Sequence, residues 1–379
     1  MPLLTDESTS AKLGQPKPNV ATEVVSLAGA KTDAQSDPQN GAKKTIEIAV
    51  KGKWFRVPAL EVQGKDIIVQ GNWIRTASVE AEEWLETEVE DPELCLQALN
   101  HEACPEFRAD VFTFAQKLPG TQPKYAYPVE WESIAAIQLT SFKDWWEKLP
   151  QESRKNTRRA QKRGVVVEVK ELNTALIQDI MALNNDSPIR QGKTFTHYGK
   201  TLEQVTKDQQ AFLDHCDYIC AYADGELIGL TKLIYRGDVA SILTFLSKAS
   251  QSDKRPANAL MAKIVERCEE KQISHLIFGM YNYGNKRHTP LREFKIRNGF
   301  TEILAPRYYV PLTLKGALSV KLKFHRGPLG LLPHSVISAI VNTRARWNAF
   351  KLSRCSSMPE RPNSDRQTGR SNPPAGSNL

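Results

Sequence analysis

Residues 217–247, DYICAYADGELIGLTKLIYRGDVASILTFLS, carry the reading on which the fold turns. Three runs rich in β-branched and aromatic residues, DYICAYA, ELIGLTKLIYR and VASILTFLS, are separated by Asp-Gly at 224–225 and Gly-Asp at 237–238. Such dipeptides supply the backbone that tight hairpin turns need, so the spacing predicts three successive antiparallel strands. Downstream, PANALMAKIVERCEEK (256–271) reads as a helix with Pro in its first turn, where a missing N–H is tolerated. SHLIFGM (274–280) is a strand, TPLREFKIRNG (289–299) a helix stopped by Gly299, and TEILAPRYYVPLT (301–313) a long final strand.

Working upstream, TLEQVTKDQQAFLDH (201–215) and NTALIQDIMALNND (173–186) show helical spacing, the latter through Leu176, Ile177, Ile180 and Leu183. VVVEV (165–169) is a strand. The order from 165 to 312 is therefore β, α, α, β, β, β, α, β, α, β. Before it stand a short helix, SFKDWWEKL (141–149), and ESRKNTRRAQKRG (152–164), a helix with no large apolar residue and six basic ones. Arg154, Lys155, Arg158, Arg159, Lys162 and Arg163 fall on one half of that cylinder, with Asn156, Thr157, Ala160 and Gln161 on the other. Further upstream, IAAIQL (134–139) and DVFTFAQKL (110–118) read as strands. Residues 45–74 read as a small antiparallel meander, and the acid-rich 77–99 as two short helices separated near Pro92.

Composition bounds the rest. The chain has 379 residues, 40% of them hydrophobic, and a net charge of +8, enough apolar content for a sizeable core. The basic charge is localised: no acid lies between Glu302 and Glu360, while nine Lys and Arg do. No secretory leader pattern and no apolar run of membrane-spanning length is visible. The six cysteines form no CxxC pair and no zinc spacing, which predicts reduced thiols in a cytoplasmic protein and no metal. The expected organisation is a disordered tail at 1–43, a small β-rich and acidic helical lobe at 44–109, an α/β domain at 110–312, a basic amphipathic helical region at 313–352 and a second disordered tail at 353–379.

The element order resembles the GNAT-like acyl-CoA N-acyltransferase fold, and three strings are similar to its FemAB-like and BioF2-like branch. LPQESRKNTRRAQKRGVVVEV resembles the opening signature of that branch, KRPANALMAKIVERCEEKQISHLIFG its cofactor-side helix and following strand, and LREFKIRNGF its closing segment. The resemblance implies a mixed, mainly antiparallel sheet flanked by helices, and transfer of an acyl or aminoacyl group to an amine. The donor is then an acyl-CoA, with aminoacyl-tRNA as the alternative, and the acceptor an amine of an envelope, glycan or small-molecule compound.

The residues offer candidates for each part of that chemistry. The helix start at Lys254, Arg255, Pro256, Ala257, Asn258 and Ala259 presents a helix dipole, backbone N–H groups and two cations to a pyrophosphate, or is an ordinary helix start. It lacks the Gly-rich turn of the family. By the resemblance, Thr244, Phe245, Leu246 and Ser247 line the pantetheine arm, or they belong to an ordinary buried strand. Tyr281 and Tyr283 stand where this fold often puts a tyrosine that protonates a thiolate, or are stacking residues; Asp186 or a water serves as base. Arg190, Gln191, Lys193, His197 and Tyr198, on a polar loop, suit an anionic or sugar-bearing acceptor, or are simply solvated. Arg154, Arg158, Arg159 and Lys162 form an anion-binding face, with three readings: pairing with the acidic 80–93 stretch, facing tRNA or a phospholipid surface, or flanking substrate phosphates. Residues 313–352 suit a helix at a membrane surface, or one packed against the core. The reading set against the enzyme is a non-catalytic protein of the same fold that binds an anionic partner.

Overall fold

A computed structural model of the protein describes residues 41–50, 52–190, 193–282 and 289–326. Residues 1–40 and 353–379 of the expected tails and most of the 313–352 region lie outside these residues; Ala42 and Lys43, expected in the first tail, instead open a strand because they pair with Glu61 and Leu60. The expected meander is observed as β1 (Ala42–Val50), β2 (Lys53–Val62) and β3 (Lys65–Gln70), joined by β4 (Thr76–Val79). The acidic stretch departs from expectation. Only a single 3₁₀ turn forms at Glu82–Trp84, and Pro92 opens helix α1 (Pro92–His101) under an Asp91 cap. The reason is tertiary: Glu82 accepts from the Ala115 amide (2.7 Å) and pairs with Arg307 (3.0 Å), which outweighs the helical tendency of the run.

There follow β5 (Val111–Ala115), β6 (Val129–Gln138), α2 (Phe142–Lys148), α3 (Gln151–Lys162), β7 (Val166–Lys170) and α4 (Thr174–Asn184). The polar loop contains a two-residue ladder, β8 (Ile189–Arg190) with β9 (Lys193–Thr194), before α5 (Leu202–Gln209). The three hairpin strands are β10 (Cys216–Ala223), β11 (Glu226–Arg236) and β12 (Val239–Ser247). The chain then runs through α6 (Pro256–Glu270), β13 (His275–Met280), α7 (Pro290–Arg297), β14 (Thr301–Pro311) and α8 (Leu314–Lys321).

Among the described residues twelve strands form one sheet in the order β1-β2-β3-β4-β5-β14-β6-β13-β12-β11-β10-β7. All neighbours are antiparallel except β4 with β5 and β12 with β13, so the sheet is mixed and mainly antiparallel, as the resemblance implies. Alternation along β12 sends Phe245 into a core with α2, α3, α6 and α7, and Leu246 into a second core with α4 and α5. A third core, under α1, unites β2 to β5 with β14. No helix among the described residues is long and apolar enough to cross a membrane.

Candidate active site

The parallel pair β12 and β13 is short. It holds only over Val239–Ser241 against His275–Ile277, after which β12 runs on to Ser247 without a β13 partner. A register shift on the β11 side leaves Leu243 unpaired between Ile242, opposite Leu233, and Thr244, opposite Lys232. A bulge of this kind re-aims consecutive side chains, and Leu243 and Thr244 both line one cavity of about 40 Å³. Of the four residues expected along a pantetheine arm, Thr244 therefore faces a cavity, whereas Phe245 and Leu246 are buried in the two cores. The Ser247 carbonyl accepts from Arg190 (2.8 Å).

The same cavity is lined by His197, Lys200, Asp208 and Gln209 from the loop and helix α5, by Lys232 of β11, and by Ala49 and Gly52 of the first hairpin. His197 Nδ1 lies 3.2 Å from Asp208 Oδ2, and Lys200 Nζ bonds the same oxygen. Burial opposes ionisation of Asp208, but the hydrogen bonds from His197 and Lys200 hold its carboxyl below the usual range. A carboxylate at Nδ1 favours the Nδ1–H tautomer of the imidazole. Lys232 is fully buried; its Nζ donates to the carbonyls of Gln209 (2.8 Å) and Ala211, and it sits over the Tyr218 ring at 5.0 Å. Burial pushes its ammonium down to about 8. Sequence reasoning named His197 and missed Asp208, Lys200 and Lys232. Lys232 had a visible signal, a cation interrupting the apolar run ELIGLTKLIYR, which only a specific set of acceptors could accommodate.

The loop candidates separate. Arg190, expected on a solvated loop, is instead buried: it donates to the carbonyls of Ser247 and Leu183 (3.0 Å) and lies over Phe195 at 4.6 Å. Its fork is used to tie the loop to β12 and α4, because burying a guanidinium demands acceptors. Tyr198 is exposed. Gln191 and the Lys193 side chain lie outside the described residues. Asp186 accepts from the Ala249 amide (2.8 Å) and the Ser250 hydroxyl (2.6 Å), which braces the turn leading into α6.

At that turn Arg255 takes a left-handed conformation (φ 58°) as the N-cap of α6, the role a glycine would ordinarily fill. The expected cradle of free amides is smaller than the sequence suggested. Pro256 has no N–H, and the Asn258 and Ala259 amides bond the Arg255 carbonyl at 3.1 and 3.4 Å. Lys254 pairs with Asp224 (2.6 Å), while the buried Arg255 Nε has no acceptor among the described residues. The end of α3 lies alongside: Arg163 reaches Asp253 at 3.1 Å, and Thr157 reaches the Asn258 carbonyl at 3.4 Å.

On the rest of the basic face of α3, Lys155, Arg158, Arg159 and Lys162 are exposed and Arg154 is half-buried. Among the described residues Arg154, Arg158, Arg159 and Lys162 make no ion pair; Arg158 lies over Trp146 at 5.6 Å and Arg159 bonds Asn156. The reading that this face pairs with the acidic stretch is overturned, since Glu82 goes to Arg307, Glu88 to Lys124 and Glu93 to Tyr127. Tyr281, just past β13, packs against the main core with Arg292 over its ring at 4.8 Å. Tyr283 lies outside the described residues.

No family model matches the sequence, and no curated protein matches it. Among solved structures, the chain is similar to FemX at 11% identity, covering 75% of this chain and 91% of that one, with a TM-score of 0.44. It is similar to L-PGS from Bacillus licheniformis at 13% identity, covering 70% and 86%, with a TM-score of 0.44. A GCN5-related N-acetyltransferase from Kribbella flavida is similar at 10% identity over 72% and 90%, with a TM-score of 0.33. Each is a likeness of chain course at low identity, and none carries a residue role to this protein.

Proposed function

We propose that the protein is an N-acyltransferase that moves an acyl group from the thioester of an acyl-CoA to the amine of a small-molecule or glycan acceptor. The observation that carries this reading is the parting of β12 from β13 beyond Ser241, because Thr244 on the parted strand and the His197–Asp208 pair line one cavity. A parted strand offers unpaired amides and carbonyls to the amide groups of a pantetheine arm. The turn at Arg255, with the cationic end of α3 beside it, then meets the donor's phosphates.

In this reading the acceptor amine gives its proton to the His197 imidazole while its nitrogen attacks the thioester carbonyl. The C–N bond forms, the C–S bond breaks, and the proton passes to the leaving thiolate. Asp208 holds the ring in the needed tautomer and offsets its positive charge. Lys232, buried behind the bulge, fixes the carbonyls at the end of α5 and with them the placement of Asp208.

Thermal unfolding with a series of acyl-CoAs tests donor binding, and thiol release in the presence of amines tests turnover. The expected result is a raised melting temperature with acyl-CoA, and a His197→Gln variant that keeps this shift while kcat falls by about 10²–10⁴-fold. Transfer that requires aminoacyl-tRNA and is abolished by RNase would overturn the donor assignment. Failure to bind or consume either donor would leave the non-catalytic, anion-binding reading.

A further inference from the structure

Helix α8 is amphipathic the wrong way round. The side that meets the body is made of its small residues: Gly316 and Ser319 are buried, and a Cβ at position 316 would stand 1.8 Å from the Asp110 carbonyl oxygen, so only glycine lets the helix sit there. Its large apolar residues face out. Leu314, Leu318 and Leu322 are 92%, 54% and 45% exposed, and their four-residue spacing aligns them in one stripe.

The stripe has company from the other end of the chain. Trp73, in the turn between β3 and β4, is 63% exposed, lies 5.7 Å from the Phe324 ring, and its carbonyl accepts from Lys315. Lys315, Lys321 and Lys323 are exposed around these residues, and Asp110, which pairs with Lys315 at 3.1 Å, is largely buried. The helix is firmly held: Thr313 caps it by accepting from the Gly316 amide (2.9 Å), and His325, just after it, bonds the Ser319 carbonyl (3.2 Å) and Glu130 (2.9 Å). The outward leucines are thus displayed by a fixed platform.

We infer that this composite face, Trp73 with Leu314, Leu318, Leu322 and the lysines around them, docks the protein on a bilayer surface bearing anionic headgroups. An indole and a leucine stripe ringed by lysines match the layered polarity of a membrane interface, where acyl chains take the leucines, the indole sits at headgroup depth, and phosphates take the ammonium groups. A second copy of the chain fits the charge less well. A two-fold contact through this face would bring its lysines against one another.

The test uses the full chain in flotation with vesicles of phosphatidylcholine, with and without phosphatidylglycerol. Binding is expected to the anionic vesicles, to weaken with added salt, and to fall at least about tenfold in a Leu314→Ser, Leu318→Ser, Leu322→Ser variant whose melting temperature is unchanged. Brominated lipid is expected to quench the fluorescence component that Trp73→Phe removes, a measurement independent of whether the triple variant folds. Undiminished flotation of the folded triple variant, no Trp73-dependent quenching, or a dimer that the triple variant splits and that ignores vesicles would each overturn the inference.

Discussion

At Arg255 the backbone holds a left-handed conformation that costs a side-chain-bearing residue about 1 kcal/mol more than glycine, and the guanidinium stays where the α6 turn begins. Arg255→Gly is therefore expected to raise the melting temperature by a few degrees while weakening acyl-CoA binding, two effects of opposite sign that melts with and without the ligand separate. Glu80 presents another tension. Burial, reinforced by neighbouring Asp66, pushes its carboxyl up to about 7, and one of its oxygens has no hydrogen-bond partner among the described residues. Because the unfolded chain releases this proton near the ordinary value of 4.5, the folded state binds more protons between that pH and about 7. Stability from this group is complete at low pH and is lost as pH rises through that window, by up to about 3 kcal/mol. Glu80→Gln should flatten that part of the pH–stability curve and raise the melting temperature at pH 8, which denaturation across the pH range would show.

Helix α3 explains how a run of twelve residues without a large apolar side chain can still be an ordered element. Ser153, Thr157 and Ala160 are its buried residues, spaced to face one way; the Ser153 hydroxyl donates to the Arg297 carbonyl (2.7 Å) and Thr157 approaches α6. Small side chains let two helix backbones come close, so the seam is stabilised by close packing and hydrogen bonds rather than by large buried areas. Ala160→Leu should overfill the seam and cost about 1–3 kcal/mol. Arg154→Gln with Arg158→Gln and Lys162→Gln should change stability by less than about 0.5 kcal/mol per site. The same triple change should weaken donor binding and reduce its salt dependence; calorimetry at two ionic strengths checks both. The sequence displayed the helix and its charged half plainly, but the small residues opposite read as neutral backing. Apolar periodicity finds cores made of leucine and valine, and it passes over a seam made of Ser, Thr and Ala. In the same way His197 stood out among loop residues, whereas Asp208 is one of several polar residues on α5 until the fold brings it to the imidazole.

Across the whole molecule, β7 and the strands from β10 to β14 were legible because local turns or helices with their own signals join them, whereas the two-residue ladder of β8 and β9 read only as polar loop. Of the strands of the first hundred residues the meander β1 to β3 was legible, but β4 reads in the sequence as the start of a helix, and the attachment of the whole depends on β5 pairing with β14. Arg307 guards that junction: it pairs with Glu82 (3.0 Å) and Glu132 and bonds Thr113, 194 positions away (3.4 Å). Arg307→Met would strand two largely buried carboxylates and is expected to cost about 3–5 kcal/mol, measurable by chemical denaturation. The sheet order also sets a schedule for birth on the ribosome. The edge of β5 that β14 will cover emerges early, and its partner is among the last described strands to be made. At about 5–20 residues per second that edge waits roughly 10–40 s for its mate. During that wait VFTFA, four of whose five residues end up buried, is open to any passing strand, so the nascent chain's demand for a chaperone should be concentrated on its first third.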